Sequence, residues 1–236
     1  VRLKILKLMK YVVTGGAGIL GQAFCNGLAQ AEAKVAVIDI KNEEACEVAE
    51  KLKNLYGIDA IGVGCDVASS DSVDNMMSVV LDSFGEVNIL LNNAASKSGD
   101  LKEFFAPFEE YSLDQWRQVM AVNIDGMFLM AKAVGKQMLS QGKGGSIIQT
   151  ASIYGVVAPD NRIYEGSEYI GTTINTPAVY SASKAAVIGL TKYLSTYWAE
   201  KGIRVNTISP GGVESGQNEA FIEKYSNRVP IGRMGK

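Results

Sequence analysis

Short apolar runs alternate with amphipathic stretches along most of this chain. Tyr11-Val12-Val13-Thr14, Val35-Ala36-Val37-Ile38-Asp39, Ala60 to Cys65, Val87 to Leu91, Ser146 to Thr150 and Arg204 to Ile208 read as strands. Most are continuous apolar runs rather than alternating ones, the pattern of strands covered on both faces. Between them the apolar positions recur with a helical period. Ile19 to Gln30 is one such helix, and Glu43 to Leu55 is another, with Ala45, Val48, Ala49 and Leu52 on one face. Ser69 to Phe84 carries Val73, Met76, Met77 and Val80 on its buried side. Long helices are expected from Leu113 to Ser140 and from Val179 to Lys201. The alternation predicts an α/β fold: a doubly wound parallel sheet with helices on both faces and right-handed crossovers. No repeat, low-complexity tract or linker divides it, so residues 1–236 read as a single domain.

With 236 residues, 47% of them apolar, the chain can bury a full core. A net charge of −2 without a basic block gives nucleic-acid binding no electrostatic support. No apolar run is long enough to span a bilayer, so no membrane partner is expected. Val1 to Lys10 alternates Leu/Ile with Lys/Arg and lacks the small-residue cleavage site of a secretory signal. The expected location is the cytoplasm. Histidine is absent, which excludes Ser-His-Asp and Cys-His catalysis and most zinc sites; no metal is expected. Cys25, Cys46 and Cys65 are scattered and odd in number, and read as small apolar residues in a reducing compartment.

Two local patterns carry chemistry. The first strand runs into Thr14-Gly15-Gly16-Ala17-Gly18-Ile19-Leu20-Gly21 and then into a helix. Glycines there allow a tight turn and close approach of a pyrophosphate, and the helix N-terminus favours its charge. Asp39, ending the second strand, can accept hydrogen bonds from both ribose hydroxyls and would repel a 2′-phosphate. That favours NAD, while Lys41 close by keeps NADP open. Asp66, with Val67 after it, either bonds an adenine amino group or caps the helix starting near Ser69. Further on, Tyr180 and Lys184 stand four apart on a helix, so their side chains meet. An ammonium beside a phenol favours the phenolate and suits the pair to proton transfer at an alcohol oxygen.

Taken in order, these segments resemble the short-chain dehydrogenase/reductase family over nearly the whole chain, a resemblance that implies a Rossmann-like fold. The glycine turn, with Gly15, Gly18, Ile19, Leu20 and Gly21, resembles that family's cofactor signature. Asn92-Asn93-Ala94-Ala95 resembles its Asn-Asn-Ala-Gly motif, with Ala95 in the glycine place. Asn123 matches its helical asparagine, Ser152 its serine, and Tyr180 and Lys184 its tyrosine and lysine. Pro210-Gly211-Gly212-Val213-Glu214-Ser215 matches the segment that holds the nicotinamide amide. The resemblance implies hydride transfer between a nicotinamide and a secondary alcohol or ketone. Ser152 would hold the substrate oxygen, and Tyr180 would be the general acid/base. Lys184 would lower the Tyr180 pKa and bond the nicotinamide ribose, and Asn123 would hold a relay water. Cofactor contacts are implied for Asp39, Asp66, Val67, Asn93, Ala94, Ala95, Pro210, Gly211, Val213 and Ser215. A small-molecule substrate and a homodimer or homotetramer follow by the same resemblance, with the two long helices as the interface.

Three features depart from the pattern. The glycine spacing is as close to the family's extended branch, which keeps a sugar-modifying dehydratase or epimerase open. Ser152 and Tyr180 stand further apart than the family spacing. The extra stretch, about 158–177, includes Arg162, Tyr164, Glu165, Glu168, Tyr169 and Asn175, a mix suited to covering the pocket and binding a hydroxyl-rich ligand such as a sugar. Finally, after Pro230 the family continues into one more helix and a last strand. Their absence would make this a truncated member with an edge strand around Val205, and keeps a non-catalytic dinucleotide-binding protein as the alternative.

Overall fold

The computed structural model describes residues 7, 9–97 and 99–236. Most of the leading stretch Val1–Lys10, read above as lacking a signal, lies outside them. Among the described residues the chain forms strands β1 (Lys10–Thr14), β2 (Lys34–Asp39), β3 (Ala60–Gly64), β4 (Ile89–Asn92), β5 (Gly145–Thr150), β6 (Glu168–Tyr169), β7 (Thr172–Thr173) and β8 (Ile203–Ile208). The helices are α1 (Ile19–Gln30), α2 (Asn42–Tyr56), α3 (Ser70–Phe84), α4 (Leu101–Phe104), α5 (Leu113–Met120), α6 (Met127–Gln141), α7 (Ala178–Tyr197) and α8 (Glu219–Ser226). A 6-stranded, all-parallel sheet runs in the order β3-β2-β1-β4-β5-β8. The order reverses between β1 and β4, and a crevice opens there at the C-terminal ends of the strands.

Each face of the sheet is buried, as the continuous apolar runs require. On one face Val13, Val35, Val37 and Leu91 pack against Cys25 and Ala29 of α1 and Ala45, Val48, Ala49 and Leu52 of α2. On the other, Val12, Ile38, Leu90, Ile147 and Val205 meet Val73, Met76, Met77 and Val80 of α3, Met130, Val134 and Met138 of α6, and Trp198. Leu52 and Met76 are each 1% exposed, and burial of side chains that size contributes roughly 1.5–3 kcal/mol apiece. The doubly wound parallel sheet expected from the sequence is the fold observed.

Two expected elements differ. The helix read from Leu113 to Ser140 is three segments, because residues Ala121–Gly126 form a π turn between α5 and α6. α7 stops at Tyr197, and a 3-10 turn over Ala199–Lys201 follows it. The stretch 158–177 has structure of its own. A 3-10 turn (Asn161–Tyr164) leads into the β6–β7 hairpin. Ile163, Tyr164 and Ile174 pack with Phe221 and Tyr225 of α8 and with Met234 into a separate cluster. Tyr169 bridges to Gln217, and the Lys97 ammonium lies 4.1 Å above its ring. Among the described residues β3 and β8 are the edge strands of this sheet.

Candidate active site

At the switch point β1 and β4 are locked by one hydroxyl. Thr14 Oγ1 accepts the N–H groups of Asn93 and Ala94 at 2.8 and 3.0 Å and donates to Asn92 Oδ1 at 3.2 Å. Asn93 returns the tie, its Nδ2 donating to the Thr14 carbonyl at 3.2 Å. The turn that follows needs glycine twice. Gly15 has φ +61°, and a Cβ on Gly21 would sit 1.9 Å from the Gly15 carbonyl oxygen. α1 begins at Gly18 with no side-chain cap and no acid in its first turn, so its N–H groups and positive end stay open to an anion.

That helix start opens on a groove of about 480 Å³, lined by Gly15, Gly18, Ile19, Leu20, Gly21, Asp39, Asp66, Val67, Asn93, Ala94 and Ala95. The structure therefore gathers all the residues expected to hold the adenosine and pyrophosphate, from four separate stretches of sequence. Asp39 is fixed across the mouth, Oδ2 accepting from Ala17 N at 3.1 Å and Oδ1 from Lys41 N at 3.3 Å. The Lys41 ammonium is held by Glu44 at 2.6 Å, which raises its pKa. Asp66 does not cap α3. Ser69 does, accepting from Ser72 N at 3.4 Å, while Asp66 Oδ1 takes the Ala68 N–H at 2.9 Å.

Leu20, Asn93 and Ala95 also line a second cavity, of about 300 Å³. Ser152, Tyr180 and Lys184 converge there with Pro210, Gly211 and Val213. Apolar groups make up most of its wall, and Lys184 is the single charged side chain among the described residues that line it. Lys184 is 2% exposed and its Nζ donates to the Thr150 carbonyl at 2.9 Å. Burial pulls its pKa down to about 8. Its Nζ lies 5.8 Å from the centre of the Tyr180 ring. Burial pushes the Tyr180 phenol up, and the neighbouring Ser152 hydroxyl offsets part of that. Among its neighbours Ser152 is the group that favours the phenolate here.

Asn123 is tied into the scaffold through its side chain. It sits in the π turn, fully buried, with Oδ1 accepting from Ser96 N at 2.8 Å and Nδ2 donating to Ser183 Oγ at 3.3 Å. Ser183 Oγ donates in turn to the Tyr180 carbonyl at 2.9 Å. Its side chain ties the loop after β4 to the helix that carries Tyr180, and a π turn at such a place is common at functional sites. Ser215 is not brought to the cavity; its N–H and hydroxyl are bonded by Gln217 at 2.8 and 3.1 Å. The wall also contains Tyr154 and Gly212, and residues not read from sequence: Phe104, its neighbour Phe105, Thr176 and Pro177. The adjacent pair Phe104-Phe105 in an otherwise polar loop was the available signal. Thr176 gave none, since its place depends on how the 158–177 stretch folds back.

A glycine-turned anion groove that shares a wall with a buried Ser-Tyr-Lys cluster defines a dinucleotide-dependent oxidoreductase. The chain belongs to the short chain dehydrogenase family, whose model matches residues 10–226. It is 37% identical over 199 residues to a D-threitol dehydrogenase of Mycolicibacterium smegmatis, which covers 84% of this chain and 68% of that one. It is 34% identical over 234 residues to a 2,5-dichloro-2,5-cyclohexadiene-1,4-diol dehydrogenase of Sphingobium indicum, covering 95% and 83%. A solved NAD+-bound xylitol dehydrogenase superposes with a TM-score of 0.82 at 28% identity, over 97% of this chain and 87% of that one. The protein is an oxidoreductase that interconverts an alcohol and a ketone with a nicotinamide dinucleotide.

Proposed function

We propose that the protein oxidises a secondary carbinol of a small, neutral polyol or sugar with NAD, and reduces the matching ketone. The observation that carries this is the pairing of the two cavities through Leu20, Asn93 and Ala95, with Ser152, Tyr180 and Lys184 on the far wall. When bound, the nicotinamide supplies the hydride acceptor or donor. Gly15–Gly21 and the α1 N-terminus would hold the pyrophosphate, Asp39 the adenosine ribose, Lys184 the nicotinamide ribose, and Pro210–Val213 the amide end. The Ser152 hydroxyl positions the substrate oxygen. Tyr180 removes that oxygen's proton in oxidation and returns one in reduction. Asn123 keeps the α7 start and the loop after β4 in register.

NAD is preferred because Asp39 is anchored at the ribose position and Lys41 is engaged by Glu44. The cavity, about 300 Å³ to be shared with the nicotinamide end, suits a small substrate. The dehydrogenases of threitol, a cyclic diol and xylitol among its relatives support the same class. The expected partner is a second copy of the chain, packed on the exposed sides of α6 and α7 where Phe128, Tyr193 and Tyr197 stand out, in a reducing cytoplasm that leaves all three cysteines free. Two assays test the reading: NADH against NADPH binding by nicotinamide fluorescence, and NAD+ reduction with a panel of polyols. Tight NADH binding, weak NADPH binding and turnover of at least one polyol are expected. Equal affinity for the two cofactors would remove the Asp39 argument, and turnover of no alcohol would remove the reaction.

A further inference from the structure

Behind the reacting groups the 158–177 stretch places a chain of hydroxyls. Tyr164 donates to Tyr154 Oη at 3.4 Å, and its own oxygen is hydrogen-bonded to Thr176 Oγ1. Tyr154 and Thr176 line the substrate cavity; Tyr164 does not, and is 9% exposed with its ring stacked on Phe221. Burial and the contact with Tyr164 push the Tyr154 phenol well up, so it stays neutral. A phenol has one proton to give. Tyr164 spends its proton on Tyr154, so Thr176 must give its proton to Tyr164. The Tyr154 proton and the Thr176 lone pairs are then left for the cavity. Run the other way, Thr176 would offer the proton and Tyr154 the lone pair. In either sense one end gives and the other takes.

Only a group that both accepts and donates closes such a chain into a ring. A hydroxyl does; a carbonyl or a carboxylate only accepts, and an ammonium only donates. Leaving either end unpaired in a mostly apolar wall would cost about 1–3 kcal/mol. We infer that Tyr154 and Thr176, held in place by Tyr164, read a second hydroxyl of the substrate, away from the carbinol that Ser152 and Tyr180 address. This rests on the polyol reading above and narrows it: a second hydroxyl on the substrate closes this chain in place of water, and a diol or polyol supplies it. Tyr164 is a positioning residue, and it comes from the stretch that sets this chain apart from the usual family spacing.

The test compares butane-2,3-diol with butan-2-ol in NAD+ reduction, the ratio of their kcat/KM values being the readout. The native protein is expected to prefer the diol by at least about 100-fold, since a site built to bond a hydroxyl rejects the analogue that lacks it. In Tyr164→Phe, which keeps the ring stacked on Phe221, the ratio should fall at least about tenfold, through KM for the diol. Thr176→Val should behave likewise, whereas Thr176→Ser, retaining the hydroxyl, should keep the native ratio. A ratio unchanged in both Tyr164→Phe and Thr176→Val overturns the inference, as does loss of the ratio in Thr176→Ser. Native turnover of both alcohols without preference overturns it too while leaving the general reaction standing; native turnover of neither, nor of any alcohol in the polyol panel, with NADH bound, overturns the general reaction and this inference with it.

Discussion

At the scale of single residues the site works through burial more than through charge pairing. Tyr180 is held up by its apolar surroundings and eased by Ser152, so it starts protonated at neutral pH. A protonated phenol is ready to give a proton to a ketone oxygen but not to take one from an alcohol. Alcohol oxidation is therefore expected to accelerate as pH rises through the alkaline range while ketone reduction does not, which initial rates in the two directions against pH would show; an oxidation rate flat from neutral to alkaline pH contradicts it. Gly21 gives a second prediction. With 1.9 Å between its would-be Cβ and the Gly15 carbonyl, Gly21→Ala must push the turn away from the helix. NADH affinity should drop at least about tenfold, measured by fluorescence titration, since the pyrophosphate cradle is that turn. These local patterns were readable in the sequence because a glycine turn and a Tyr-x-x-x-Lys spacing act within a few residues. The side-chain partners of Asn123, Ser96 and Ser183, were not readable, because they are distant in sequence.

At the scale of elements the β6–β7 hairpin carries strain. Its two-residue turn, Ile170-Gly171, has φ of +49° and +72°, the primed turn that hairpins favour and that asparagine or glycine normally supplies. A β-branched residue there costs about 1–2 kcal/mol, and Ile170 is exposed, so its side chain recovers little. Ile170→Asn should stabilise the protein by about 1 kcal/mol in urea denaturation; a destabilised variant would show that the isoleucine makes a contact it needs. Removing Ile163–Thr173 outright is a different experiment, since Ile163 and Tyr164 form one wall of the cluster with Phe221, Tyr225 and Met234. The strands and α1 to α3 were legible because their patterns are long and periodic. The hairpin, the α4 turn and α8 were not. Each is eight residues or fewer, and its burial comes from partners far along the chain. The π turn escaped for another reason: apolar spacing around Ala121–Gly126 is the same for an α-helix to within a residue.

For the molecule as a whole, function and stability pull against each other at Lys184. Its folded pKa of about 8 lies below the free value of 10.5, so burying the ammonium costs stability below pH 8, and the cost is relieved as pH rises from 8 to 10.5. Shifts of that size correspond to about 3 kcal/mol, less the bond to the Thr150 carbonyl. Lys184→Met should then raise unfolding free energy at pH 7 by about 2 kcal/mol, with the gain shrinking toward pH 10, while activity is lost; a gain independent of pH would remove desolvation as the cause. The doubly wound sheet brings this costly lysine, the glycine turn and the 158–177 wall to one crevice between β1 and β4. The most direct test of the account is the turnover of Tyr180→Phe with a polyol and NAD+, with NADH binding measured on the same protein. The account predicts a kcat at least about 100-fold lower with NADH affinity within about twofold of native. Substantial residual turnover with NADH still bound would show that Tyr180 is not the group that moves the proton.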